Sequence, residues 1–332
     1  MINRNDKPQG AYMGIPKSTS IQLTAVLFTL LAVLWTEAHA GTDLALNWKP
    51  EPEFGGFYEA QAKKYYQNQG LSLEILPGGA GQPVAQMVAS KKVMFGISSA
   101  EEVVLARGIG AKIVAIFAVY QNDPQGFMVR SERNIHSLKE LFQSKGTIAL
   151  QKGLPFTEWL EKKYAPTQAQ IVPYTGGITQ FLKDQSFSQQ CFVTSEPLAA
   201  KRSNVTPKTF LVSESGYNPY LTVVIVHEDT LKEHMDLVKK FIAATQQGWS
   251  SYINNPKETN TLMQKLNSSM SLADFDEAAK IQRPFIETAE TKTHALGAMN
   301  ADRWNVLQSQ LKELKLVASL SNPNTFFFSP TK

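Results

Sequence analysis

Along residues 43–226 the apolar positions switch repeatedly between a spacing of two and a spacing of about 3.6 residues, the signatures of strands and amphipathic helices. Asp43–Trp48 alternates and predicts a strand ending at a loop that carries Pro50 and Pro52. Gly55–Gln69 predicts a helix with Phe57, Ala60, Ala62 and Tyr65 facing inward, closed by Gly70 where a left-handed residue is favoured. Leu71–Ile75 alternates again. The glycine-rich loop Pro77–Gly81 then leads into a helix (Pro83–Ser90), a strand (Val93–Ile97), a helix (Ala100–Arg107) and a buried strand (Ile113–Val119).

The order then repeats. A capping box at Ser137–Glu140 opens a helix. Strands are predicted at Thr147–Leu150, Ile171–Pro173, Cys191–Thr194 and Phe210–Val212, and helices at Thr157–Tyr164, Ile178–Lys183 and Glu196–Arg202. The β-branched run Thr222–Val226 suits a central strand, and after Asp229 the chain reads as almost wholly helical, with helices predicted at Leu231–Tyr252, Pro256–Leu266, Leu272–Phe285 and Asp302–Leu314 and the stripe Phe326–Phe328 packed on a lobe. Strands alternating with helices predict an α/β fold with doubly wound, mostly parallel sheets. Two such sets followed by helices predict two lobes flanking a ligand cleft, joined by a two-segment hinge at crossings near Val129–Arg133 and Ser213–Tyr220. Lobe one then takes residues 41–130 and the mostly helical 221–332, and lobe two takes 131–220.

Residues 1–40 read as a secretory signal. Lys17 precedes the apolar run Ile21–Trp35, and Ala38-His39-Ala40 offers a small-x-small site with cleavage after Ala40. The run is shorter than the roughly 20 residues of a membrane span. Met13 is an alternative start that leaves a signal of ordinary length. The expected location is the periplasm. Cys191 is the only cysteine in the chain, so neither an internal disulfide nor a lipid anchor after the cleavage site is expected. The 332 residues are 43% hydrophobic with a formal charge of +4 and no basic block, which withdraws support for nucleic-acid binding. His227, His234 and His294 lack metal-ligand spacing, no Gly-x-Ser-x-Gly elbow or His-Glu-x-x-His motif is present, and no function is assigned to Phe326-Phe327-Phe328.

Leu46-Asn47-Trp48 through Phe57-Tyr58-Glu59-Ala60-Gln61, with Tyr65-Tyr66 and Gly70-Leu71, resembles the opening of a known family. Phe95-Gly96-Ile97-Ser98-Ser99 with Glu101 resembles its second signature. That family joins bacterial binding proteins for thiamine pyrimidine precursors to the eukaryotic thiamine-pyrimidine synthases, with alkanesulfonate binders as distant members. The resemblance spans about residues 43–330 and implies the type II periplasmic-binding fold. It also implies the substrate-binding component of an ABC importer, working as a monomer with a membrane permease and its ATPase. The solute expected is a formylaminopyrimidine or hydroxymethylpyrimidine. A riboflavin-like heterocycle is the alternative, and alkanesulfonate or nitrate ranks lower. The family's synthases use a lysine that holds pyridoxal phosphate, a histidine four residues on, and a cysteine-rich motif. The first two positions fall at Ser98 and Glu102, and a single cysteine cannot supply the third. A binder without cofactor or metal is therefore expected, not an enzyme.

Within that frame Trp48, at a strand's carboxyl end, offers a flat face for an aromatic ring, and the resemblance gives it the ring-stacking role. Asn47 carries the donors and acceptor that suit a pyrimidine edge. Ser98 and Ser99 end a strand, and Glu101 opens the next helix, either as an acceptor for a ring amino group or as a complement to the helix dipole. Thr175-Gly176-Gly177 permits close backbone approach to a ligand. Glu196 follows a lobe-two strand, and the resemblance makes it the contact to the ring amino group. Tyr217 and Tyr220 flank the second crossing and are expected to close over the ligand.

Overall fold

The computed structural model describes residues 42–329. The signal and cleavage site assigned to residues 1–40 lie outside them. The first part of the chain builds β1 (Thr42–Ala45), α1 (Gly55–Ala62), α2 (Tyr65–Asn68), β2 (Leu73–Leu76), α3 (Val84–Ala89), β3 (Phe95–Ser98), α4 (Ala100–Gly108) and β4 (Ile113–Tyr120). The helix expected over 55–69 is two helices, because Lys64 takes a left-handed φ of 61° and breaks it. The middle builds β5 (Gln125–Arg130), α5 (Leu138–Gln143), β6 (Thr147–Leu150), α6 (Pro155–Lys163), β7 (Gln170–Pro173), α7 (Thr179–Lys183), β8 (Phe187–Phe192), α8 (Glu196–Arg202) and β9 (Pro207–Leu211). The remainder is β10 (Leu221–His227), α9 (Glu228–Glu233), α10 (Met235–Asn254), α11 (Lys257–Leu266), α12 (Leu272–Ile286), α13 (Ala289–His294) and α14 (Ala301–Glu313).

The ten strands form two five-stranded sheets, ordered β2-β1-β3-β10-β4 and β7-β6-β8-β5-β9. Each is mostly parallel with one inserted antiparallel strand, β10 between β3 and β4 and β5 between β8 and β9. This is the two-lobed type II periplasmic-binding arrangement. Residues 125–130 belong to the second sheet, so the first crossing lies between Tyr120 and Gln125, earlier than the expected 129–133. The apolar run 126–129 is buried in either sheet, so burial pattern alone does not say which sheet it joins. The return crossing runs through Val212–Tyr220.

Two large clusters hold the first lobe. One centres on Phe57, Phe95, Phe241, Trp249 and Tyr252, where α10 packs on α1 and on the sheet. The other includes Trp304 of α14 and continues beneath the crossings into the second lobe through Tyr217, Phe127 and Phe156. Residues 326–328, a stripe expected to pack on a lobe, do so and also add to the edge strand β4. Ala115 N–H donates to the Phe326 carbonyl (2.9 Å), and Phe328 N–H donates to the Ala115 carbonyl (2.7 Å). Phe326 and Phe327 stack on Trp304. That covers an edge which would otherwise present unpaired backbone groups.

Candidate functional site

The candidate residues gather at strand carboxyl ends of both sheets. Beyond β1 the chain runs through Asn47 and Trp48, both exposed. The loop after β2 presses against this segment. Gly78 N–H donates to the Trp48 carbonyl (3.0 Å), and any side chain at Gly78 would run into the Leu46 carbonyl. From the other side Asn267 Nδ2 donates to the Pro50 carbonyl (3.1 Å). Trp48 is therefore held at its backbone while its ring stays 39% exposed, an unusual state for so large an apolar side chain. Its Nε1 donates to Glu51 Oε1 (3.2 Å).

Glu51 opens onto a cluster of carboxyl groups drawn from both lobes. Burial pushes the Glu51 carboxyl up to about 7, helped by the charge of Glu196 and opposed by the Trp48 hydrogen bond. Burial holds Glu53 well above the usual carboxylate range, and Glu51 and Glu196 add to it. Glu53 makes no side-chain hydrogen bond among the described residues. Glu196, the first residue of α8, accepts from Tyr174 Oη at Oε1 (2.9 Å) and from Phe192 N–H at Oε2 (2.8 Å). Burial raises it as well, against those hydrogen bonds. The charge of the second-lobe Glu196 thus acts on both first-lobe carboxyls beside Trp48.

A second acidic group sits at the hinge. Ser99 caps α4 by accepting from Glu102 N–H (3.1 Å), and Ser98 Oγ donates to Glu102 Oε2 (2.6 Å). Both serine hydroxyls are thus engaged locally. Glu101 accepts from Tyr217 Oη (2.7 Å), and burial pushes its carboxyl up to about 7. Asp123 in the first crossing is raised to about 8, by burial first and then by Glu101. Its Oδ1 accepts from Gln125 N–H (2.7 Å), and its own N–H donates to Asn218 of the second crossing (2.9 Å).

The other candidates divide. Thr175, Gly176 and Gly177 form an exposed loop after β7 in which both glycines have positive φ (85° and 70°), and Gln189 Nε2 ties it down at the Gly177 carbonyl (2.9 Å). Tyr217 is fully buried and tilts against Trp159 of α6, so it joins the lobes through the hinge. Tyr220 is packed in the first lobe beneath the Arg303 guanidinium, 3.9 Å from its ring centre, and its hydroxyl accepts from Asn300 N–H (3.1 Å). The structure joins Trp48 and Glu196 through Glu51, and Tyr217 to Glu101, while Tyr220 stands apart. Sequence reasoning passed over Glu51, Glu53, Asp123 and Tyr174. The one available signal was Glu51-Pro52-Glu53, two carboxylates straddling a proline immediately after the candidate tryptophan.

Among the described residues no helix is long and apolar enough to cross a membrane, and no three Asp, Glu, His or Cys side chains could share a metal ion.

Comparison with known proteins follows the same outline. The chain is 23% identical over 287 residues to the riboflavin-binding protein RibY of Chloroflexus aurantiacus, covering 83% of this chain and 81% of the relative. It is 22% identical over 301 residues to a formylaminopyrimidine-binding protein of Halalkalibacterium halodurans (83% and 86% covered). It is 19% identical over 281 residues to a 4-amino-5-hydroxymethyl-2-methylpyrimidine phosphate synthase of Legionella pneumophila (82% and 86% covered). Among solved structures the periplasmic aliphatic sulphonate-binding protein SsuA of Escherichia coli superposes with a TM-score of 0.68 at 12% identity, covering 88% of this chain and 94% of that one. The family model described as NMT1/THI5 like matches residues 51–259, and the chain belongs to that family, with the fold of ABC-importer substrate-binding proteins.

Proposed function

We propose that this protein is the periplasmic solute-binding component of an ABC importer, and that its solute is a thiamine-precursor pyrimidine of the formylaminopyrimidine or hydroxymethylpyrimidine type. The observation that carries the reading is the convergence of Trp48, Glu51, Glu53 and Glu196 from both lobes. The exposed indole supplies a face for the ring. The carboxylates supply acceptors for amino groups and for any charge the ring carries. Asn47 and the Thr175–Gly177 loop stand at the rim. Closure of the lobes is favoured only by contacts that the solute makes better in the closed state. Once Glu51 ionises above about pH 7 its charge repels a sulfonate or nitrate, so those anions fit poorly. A riboflavin-like heterocycle remains the alternative, favoured by the RibY relative.

A binder fits the site better than a synthase. Ser98 and Glu102 bond each other where the synthase has its lysine and histidine, so there is no amine to form a Schiff base with a cofactor. Expected partners are a permease and its ATPase, with the binding protein acting as a monomer.

The test is a thermal-shift screen of the mature protein with hydroxymethyl and formyl aminopyrimidines, riboflavin and taurine, followed by calorimetry on Glu196→Gln. At 100 times its dissociation constant a ligand adds about 2.7 kcal/mol of stability. The expected result is a shift with an aminopyrimidine, none with taurine, and loss of that binding in the variant. A shift with taurine alone overturns the reading, and a shift with riboflavin alone selects the alternative.

A further inference from the structure

The short helix α8 carries Glu196 at its first residue and Arg202 at its last. Its first residue belongs to the carboxylate cluster. Its last forms an ion pair with Asp274 of α12, a helix of the opposite lobe. Asp274 is not a surface carboxylate, since its side chain is 7% exposed. It is also the third residue of a capping box. Ser271 N–H donates to Asp274 Oδ2 (3.2 Å), the Ser271 hydroxyl bonds the same oxygen, and Oδ1 is left for Arg202. Around this pair the two lobes interdigitate. Ile281 and Phe285 of α12 pack on the second-lobe cluster of Met128, Cys191, Val193 and Ala200, and Leu198 of α8 packs into the first-lobe core. Beside this contact the seam opens into a partly open pocket of about 250 Å³ between Leu198 and Phe285. The far end of α12 is tied to the hinge, where the Phe285 carbonyl accepts from the Gln121 and Asn122 N–H groups (2.8 and 3.1 Å).

From this geometry we infer that Arg202 is a positioning residue for solute capture. Its ion pair with Asp274 latches α8 onto α12 and thereby sets how much of the population is closed, without touching the solute. The inference rests on the proposed function only in taking lobe closure as the capture step. At one end of α8, closure brings Glu196 against Glu51 and Glu53, which opposes it. At the other end the latch favours it, and because α8 is a single rigid element both ends arrive together. A partly buried pair of this kind resists salt less than an apolar seam does, and removing one partner leaves the other uncompensated. An outlying pair, Lys162 Nζ to Glu313 Oε1 at 2.9 Å between α6 and α14, is half exposed at both ends and contributes little.

The test is small-angle scattering of the mature protein without any solute, so its outcome does not depend on which ligand is correct. Wild type, Arg202→Ala and Arg202→Lys are compared between low and high sodium chloride. Thermal unfolding followed by circular dichroism serves as the folding control, and the half-exposed Arg202 position makes folding tolerant of the change. The expected result is a larger radius of gyration for Arg202→Ala at low salt, corresponding to a roughly tenfold fall in the closed-to-open ratio, or about 1.4 kcal/mol. Wild type should open with salt, the alanine variant should not open and should close slightly as salt screens the carboxylate repulsion at the other end of α8, and lysine should restore most of the closure. Scattering and salt response identical to wild type in a folded Arg202→Ala protein overturn the latch. A normal latch together with a failed aminopyrimidine screen would overturn the ligand assignment alone.

Discussion

Replacing Tyr217 by Phe removes one oxygen and keeps a ring that is fully buried and packed on Trp159, 5.7 Å between centres. The lost group is a donor to Glu101 Oε1 at 2.7 Å. A hydrogen bond to a neutral partner is worth about 1 kcal/mol, and one to a charged partner about 1.5–3 kcal/mol. The Glu101 carboxyl is pushed up to about 7, chiefly by burial, with the Tyr217 and Ser99 hydrogen bonds pulling the other way. Its partner therefore changes character within an accessible range. The stability that a raised carboxyl contributes is fully present below its unfolded value of 4.5 and is lost as pH rises through about 7. Without the tyrosine hydroxyl that loss deepens, because ionised Glu101 then has one donor fewer. The variant should lose about 1 kcal/mol at pH 5.5 and about 2–3 kcal/mol at pH 8.5. For a chain of 332 residues 1 kcal/mol moves Tm by only about 2 °C, so the resolving assay is urea unfolding. With a slope of about 3 kcal/mol/M the midpoint should fall by about 0.3 M at the lower pH and 0.7–1 M at the higher. Equal losses at both pH values would refute the reasoning, because Glu101 would then keep one charge state throughout.

Three further outcomes follow from the site. Glu53→Gln should stabilise the protein at pH 8 and do nothing near pH 4, because the native carboxyl is raised and its ionisation is a cost that neutral Gln avoids; unfolding midpoints at the two pH values check this. Trp48→Ala should leave unfolding within about 0.5 kcal/mol of wild type, since the ring is 39% exposed, yet abolish the thermal shift produced by an aminopyrimidine. Gly78→Ala should lower stability by about 1–3 kcal/mol and weaken solute binding, because the new methyl would push the loop off the Leu46 carbonyl and release the backbone that holds Trp48; urea unfolding and calorimetry report the two effects.

The alternation of strands and helices was enough to read the two α/β lobes, because period-two and helical patterns are local properties of the chain. The sheet to which β5 belongs is not local. Gly126–Val129 is buried wherever it goes, and only pairing with β8 and β9 places it. The break at Lys64 was equally hidden, since no glycine or proline marks it. Single candidates such as Trp48 and Glu196 stood out because each follows a strand. Their relation did not, because the charge of Glu196 reaches Glu51 and Glu53 only through the packing of one lobe on another. Phe326-Phe327-Phe328, mute as a motif, acquires a role only once Trp304 and the free edge of β4 are in place.

Likeness of fold leaves the solute open. The sulphonate-binding neighbour shares the two lobes at 12% identity, and such a scaffold carries many specificities. What separates them is the charge that each cleft presents when it closes. A sulfonate or nitrate needs donors that converge on it. On the proposed reading closure would instead carry Glu196 toward Glu51 and Glu53, while Glu101 and Asp123 sit raised at the hinge. Ionised and unaccompanied, such groups oppose closure. Neutralised by amino hydrogens or by a positive ring, they become the reason for it. On the proposed reading the discriminating chemistry is the hydrogen-bond polarity of the solute's edge, read against the exposed indole of Trp48, more than its size or the shape of the lobes.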